Sequence, residues 1–142
     1  MIFFYRFFIN LIVILSPIII LIRLFKKKED IKRFTEKFCF ISKKKKNGSL
    51  VWIHVASVGE LMSIIPLIHK LEKQKKIHQI LITSSTISSS NIFCKLKFKK
   101  SIHQYFPIDT NYFTKKFLNH WQPKLAIFIE SEMWPNMLIN LK

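Results

Sequence analysis

The chain has 142 residues, enough for about one domain, and carries a formal charge of +16 with 49% hydrophobic residues and two glycines. This much apolar content excludes a disordered polyelectrolyte, and so little glycine excludes a collagenous or linker-like chain. Cys39 and Cys94 stand far apart, which excludes a disulfide framework or a zinc cluster and reads as two small core residues in a reducing compartment.

The first element is an apolar run. Residues 7–22 carry no charge, residues 2–5 extend the run beyond Arg6, and 2–24 meets the length of about 20 residues that a membrane-spanning helix needs. A signal peptide would end in small residues, whereas this run ends in Arg23 and Lys26 to Lys28. An uncleaved single-pass anchor over residues 1–25 follows, and the basic flank places the rest of the chain in the cytoplasm. Residues 26–49 form a basic juxtamembrane linker with an amphipathic piece near Ile31, Phe34 and Phe38, then a loop from Lys43 through Gly48. The lysines serve either as a solvated run or as a contact for anionic lipid.

From residue 50 onward, strands and helices alternate. Strands are predicted over 50–55, 79–83, around Tyr105 and over 125–129. Helices are predicted over 61–74 (Leu61, Ile64, Ile65, Ile68 and Leu71 on one face), from about Asn91 after a polar turn at 84–90, and from Trp134. The alternation implies βαβ units, a parallel sheet covered on both faces, and an α/β, Rossmann-like domain over 50–142.

In such sheets ligands bind beyond the carboxyl ends of the strands. Glu60 closes Ala56-Ser57-Val58-Gly59-Glu60 after the first strand, with Gly59 read as the residue that frees a sharp turn, and Glu130 and Glu132 follow the last strand. A carboxylate there serves as a general base for a hydroxyl nucleophile or as a first-turn helix cap, and spacing leaves both open. Dinucleotide, P-loop and nucleophile-elbow fingerprints are absent, and His54, His69, His78, His103 and His120 lack metal-ligand spacing. Strands apolar on both faces leave no aromatic and basic platform for nucleic acid. The lysine, isoleucine, phenylalanine and asparagine bias is that of AT-rich codons, so the charge reads either as drift or as a polyanion partner.

The run 51–60, the turn Thr83-Ser84-Ser85-Thr86, the segment 105–109, residues 123–136 and the pair Arg33 and Glu36 resemble, in order and spacing, the amino-terminal half of bacterial 3-deoxy-D-manno-octulosonic acid (Kdo) transferases. The resemblance implies a two-domain GT-B glycosyltransferase at the cytoplasmic face of the inner membrane. Such enzymes move Kdo from CMP-Kdo to a lipid A precursor in lipopolysaccharide synthesis, with no cofactor and no metal. It implies Glu60 as general base, a second essential acid at Glu130 or Glu132, Ser57 and Gly59 as the shapers of an acceptor-side turn, and Trp134 and Pro135 as motif support.

Thr35 and Cys39 stand where the family usually has glycine. The family runs to about three times this length, so the sequence reads as the acceptor half, truncated before the nucleotide-sugar domain and inactive alone. That domain would then act in trans. The competing expectations are a membrane-anchored basic module that binds anionic lipid without catalysis, and the product of a decaying gene.

Overall fold

The structure is a computed structural model, and it describes every residue except Lys27, Ser42 and 130–133. Helix α1 (Ile2–Phe25) and a 3-10 turn (Phe34–Phe38) precede β1 (Leu50–Val55), α2 (Val58–Lys73), β2 (Gln79–Ser84), α3 (Ile87–Lys95), β3 (Ser101–Tyr105), α4 (Asn111–Trp121), β4 (Leu125–Phe128) and α5 (Pro135–Leu141). The four strands form one sheet in the order β3-β2-β1-β4, every neighbouring pair parallel. This is the predicted α/β sheet.

Strand alternation sorts the core into two layers. Val51, Ile53 and Val55 of β1 pack with Ile80 and Ile82 under Leu61, Ile64 and Ile68 of α2 and Phe93 of α3. Leu50 and Trp52 point the other way, against Leu81, Phe106, Phe117 and Trp121, with Met137 of α5 completing the layer. The Trp52 indole lies 4.9 Å from the Phe117 ring and 5.1 Å from Phe128, and its Nε1–H donates to Thr83 Oγ1 at 2.8 Å. Both faces of β1 and β2 are buried, as their continuous apolar sequences require.

Several boundaries differ from the sequence expectation, each through a side-chain cap. Helix α2 starts at Val58 because Ser57 Oγ accepts the Glu60 N–H. Helix α3 starts at Ile87 because Thr86 Oγ1 accepts the Ser89 N–H, so most of the predicted polar turn is helical. Helix α4, to which no element was assigned, is capped by Thr110 and buries Thr114, Phe117 and Trp121, a face too short and too polar to stand out as an apolar stripe.

The juxtamembrane segment is tied to the sheet rather than free. Arg33 forks onto Glu36, with Nε 2.8 Å from Oε1 and Nη2 2.9 Å from Oε2, and also donates to Ser90 Oγ, the His103 carbonyl and His103 Nδ1. Glu36 Oε2 in turn accepts the Tyr105 N–H of the edge strand β3 at 2.9 Å. Cys39 ends the 3-10 turn at φ +55°, a left-handed conformation that explains why glycine suits this position. Its buried thiol, pushed up to about 12 by burial, stays protonated and donates to the Phe113 carbonyl at 3.0 Å. Cys94, expected in the core, is exposed on α3.

Since a guanidinium only donates, His103 Nδ1 is the acceptor and Nε2–H donates to Ser84 Oγ at 2.8 Å. Burial, with the Arg33 and Lys43 charges beside it, pushes this imidazole from 6.5 down to about 3. It stays neutral in the folded chain while the unfolded chain takes up a proton below about 6.5. Its contribution is therefore full above pH 6.5 and is lost towards pH 3, at about 1.4 kcal/mol per unit. Urea unfolding of the detergent-solubilised chain at pH 7 and pH 5 will show this fall, and His103→Gln will flatten it; an unchanged slope in the variant would assign the pH dependence elsewhere.

Candidate functional site

The strand order reverses at β1, since the chain runs β1, β2, β3 outward and then returns to lay β4 against the opposite edge of β1. In doubly wound sheets the crevice at this switch, beyond the carboxyl ends, is where ligands bind. The segments leaving β1 and β4 therefore border the crevice. The Ile129 N–H bonds to the His54 carbonyl at 3.0 Å, which fixes the exit of β4 beside that of β1.

The exit of β1 is built by a capping box. Ser57 Oγ accepts the Glu60 N–H at 3.2 Å while Glu60 Oε2 accepts the Ala56 N–H at 2.8 Å. Glu60 is thus the third residue of α2, 7% exposed, with its carboxylate folded back over the turn. Among the described residues nothing donates to Oε1. One oxygen is held by the backbone and the other is left to meet a hydroxyl proton.

Gly59 corrects the sequence expectation. It lies in the first turn of α2 with no positive φ, and an added Cβ would meet only Ser57 Oγ, at 3.9 Å. The backbone does not need glycine here. What glycine provides is open space, and Ser57 and Gly59 are both exposed. The glycine that the backbone does require is Gly48, at φ +110° with its open face 2.5 Å from the His78 ring.

The exit of β4 leads into 130–133, so Glu130 and Glu132 lie outside the described residues. The residues that follow are pinned. Trp134 precedes Pro135 at the first position of α5 and stacks 5.4 Å from the Phe106 ring. Asp109, past the end of β3, accepts the Asn136 N–H at 2.9 Å and the Met137 N–H at 2.8 Å, while Asn136 Nδ2 donates back to its carbonyl. Burial raises the Asp109 carboxyl above its usual range against the pull of these donors. Asp109 and Asn136 were not singled out as site residues; their signal is an acid following a strand and an asparagine opening a helix, which many loops share.

His54 sits at the floor of the crevice, fully buried, with Nδ1 2.9 Å from Thr83 Oγ1 and its ring 4.1 Å from Phe106. Among the described residues no group of three or more His, Cys, Asp or Glu could hold a metal.

Glu60→Ala removes half of the capping box and should cost about 1 kcal/mol, whereas Glu60→Gln keeps an acceptor for the Ala56 N–H and should stay within a few tenths. Asp109→Ala strands two buried N–H groups and should cost about 2 to 4 kcal/mol. Urea midpoints of the three variants check this ordering.

A family model described as 3-deoxy-D-manno-octulosonic-acid transferase (kdotransferase) matches residues 32–142. The 3-deoxy-D-manno-octulosonic acid transferase of Rickettsia bellii is 46% identical over 85% of this chain and 29% of its own length. That of Rickettsia prowazekii is 38% identical over 83% of the chain and 35% of its own length. That of Rickettsia typhi is 52% identical over 61% of the chain and 19% of its own length. The chain therefore spans about a third or less of the curated relatives it matches. The matched stretch holds the Glu60 turn, the Asp109 cap and the Trp134-Pro135 helix start, and the chain belongs to the Kdo transferase family through its amino-terminal domain.

Proposed function

We propose that this chain is the acceptor-side half of a GT-B glycosyltransferase that moves Kdo from CMP-Kdo to a lipid A precursor. It works at the cytoplasmic face of the inner membrane, together with a nucleotide-sugar domain in the same chain or supplied in trans. The observation that carries the reading is the position of the buried Glu60 carboxylate beside the strand-order switch, with one oxygen fixed by the Ala56 N–H.

The acceptor hydroxyl is a weak nucleophile until its proton leaves. Glu60 Oε1 takes that proton as the oxygen attacks the anomeric carbon of Kdo; the bond from that carbon to the CMP phosphate breaks, and CMP departs with the electron pair. Holding Oε2 to the backbone fixes the base before the acceptor arrives, which lowers the entropic cost of alignment. The open surface over Gly59 and Ser57 lets the sugar approach the turn, and the exposed N–H groups at the start of α2 face it. A second acid, Glu130 or Glu132, enters from the opposite lip of the crevice. No metal takes part in this reading, and the lysine-rich surface meets the phosphates of the acceptor and of anionic lipid.

The test joins this chain to a separately expressed carboxyl-terminal portion of the Rickettsia bellii relative and follows Kdo transfer from CMP-Kdo to lipid A precursor. Glu60→Gln, with its cap preserved, should lower the rate by about 10² to 10⁴. Gly59→Ala should stabilise the helix start by about 0.4 to 1 kcal/mol yet weaken acceptor binding by filling the open space. A Glu60→Gln pair as fast as the parent would reduce Glu60 to a cap. Salt-sensitive binding to plain anionic vesicles without transfer would favour a noncatalytic lipid-binding module.

A further inference from the structure

The accessibility of α1 is periodic. Tyr5, Ile9, Val13, Ser16, Ile20 and Arg23 are partly or fully covered, at intervals of three and four residues over the whole helix. Such spacing is one face of a helix. At about 100° per residue the opposite face is Phe4, Phe7, Leu11, Ile14, Ile18 and Phe25, every one exposed.

The covered face lies against the domain from end to end. Tyr5 Oη donates to Asp109 Oδ2 at 2.8 Å, and Arg6 Nε donates to Asn136 Oδ1 at 2.8 Å, which ties the first turn to the Asp109 cap and the start of α5. Ile9 shares a cleft with Phe106, Pro107 and Trp134. Further along, Ile20, Leu21 and Leu24 face Phe34 and Phe38 across an apolar cleft of about 340 Å³. In the last turn Arg23 Nε meets Glu29 Oε1 at 2.6 Å, and Lys37 holds the same carboxylate at 2.8 Å.

A helix of 24 residues is about 36 Å long, enough to cross the hydrocarbon. A crossing helix, however, delivers its two ends to opposite sides of the bilayer. Here the first and the last turn are hydrogen-bonded to the same domain, and a spanning orientation would draw Asp109, Asn136 and Glu29 into lipid. The polar side chains Tyr5, Arg6, Ser16 and Arg23 all lie on or beside the covered face, and the outward face is apolar. That is the division of an interfacial helix, with the domain standing where water would be.

We infer that α1 lies in the plane of one leaflet of an anionic bilayer, its Phe4-Phe7-Leu11-Ile14-Ile18-Phe25 face among the acyl chains, and that the Tyr5–Asp109 and Arg6–Asn136 bonds hold it there. The charge supports the choice of surface, since Arg23, Lys26 and Lys28 close the helix at headgroup level. Because Asp109 and Asn136 also set the start of α5, the bilayer plane is registered directly to the carboxyl ends of the strands. The inference concerns lipid contact alone and does not rest on the transferase reading.

The experiment uses the full chain with Cys94→Ser and one of Phe7→Cys, Ile14→Cys or Phe25→Cys, each labelled with an environment-sensitive fluorophore and reconstituted from detergent into phosphatidylcholine and phosphatidylglycerol vesicles. Lipids brominated near the headgroup or near the chain end report depth. An in-plane helix gives all three labels one shallow depth, each quenched more by the headgroup-side bromines. A spanning helix overturns the inference by placing Ile14 deepest and the other two labels at opposite interfaces, one of them shielded from an impermeant aqueous quencher. Absence of quenching by either lipid would also overturn it.

Discussion

The return of β4 to the side of β1 is the constraint on which the rest of the molecule depends. Parallel pairing of Val51 with Leu125 through His54 with Phe128 fixes where both strands end, and the Ile129 and Lys124 amides carry the ladder one residue past each end of β4. The reversal splits the helices between two faces, α2 and α3 on one and α4 and α5 on the other. It also leaves a crevice whose lips are the first turn of α2 and the residues that lead into α5. No side chain creates that crevice; the order of the strands does.

Into this frame the chain places side chains that serve structure and site together. Glu60 closes a capping box, and the same bond that satisfies the Ala56 amide prevents the carboxylate from swinging. Asp109 caps α5 from a distance of 27 residues and accepts the Tyr5 hydroxyl from 104 residues away, so one carboxylate fixes the strand end, the helix start and α1. Such sharing has a physical cost, visible in the burial that raises the Asp109 carboxyl. Deleting a shared group removes several contacts at once, and isosteric changes such as Glu to Gln are needed to separate its roles.

Much of the architecture is legible because the strands are continuous apolar runs and α2 repeats its apolar residues at helical spacing. What escapes is set by capping. Ser57, Thr86 and Thr110 each start a helix by taking one amide, a single hydrogen bond that leaves no periodic trace in sequence, so α2 and α3 begin earlier than the apolar pattern indicates and α4 has no visible stripe. Glu60 is legible as a residue and ambiguous as a role, because a cap and a base require the same carboxylate at the same turn. Gly59 illustrates the reverse error: a rare glycine beside a turn suggests backbone freedom, yet the position is helical and what it supplies is room. The Arg33–Glu36 fork and the ties of α1 are contacts between segments distant in sequence, and no local pattern encodes them.

The opening charge of +16 divides by residue type. The three arginines, Arg6, Arg23 and Arg33, all donate to fixed partners: Asn136 and Asn111, Glu29, and the Glu36 network. Their planar forks hold segments in place, and Arg33 also stacks 5.0 Å over the Tyr105 ring, a contact a lysine would make less well. Structural cation work is thus done mainly by arginine. The remaining positive charge is lysine, hydrated and mobile on its four-carbon stem, suited to many weak contacts with an anionic surface. Contacts of that kind are screened within about 8 Å at physiological salt, so lysine can pull the domain towards a charged bilayer without fixing its orientation. Orientation must come from unscreened contacts, and those are the buried bonds that hold α1 across the domain.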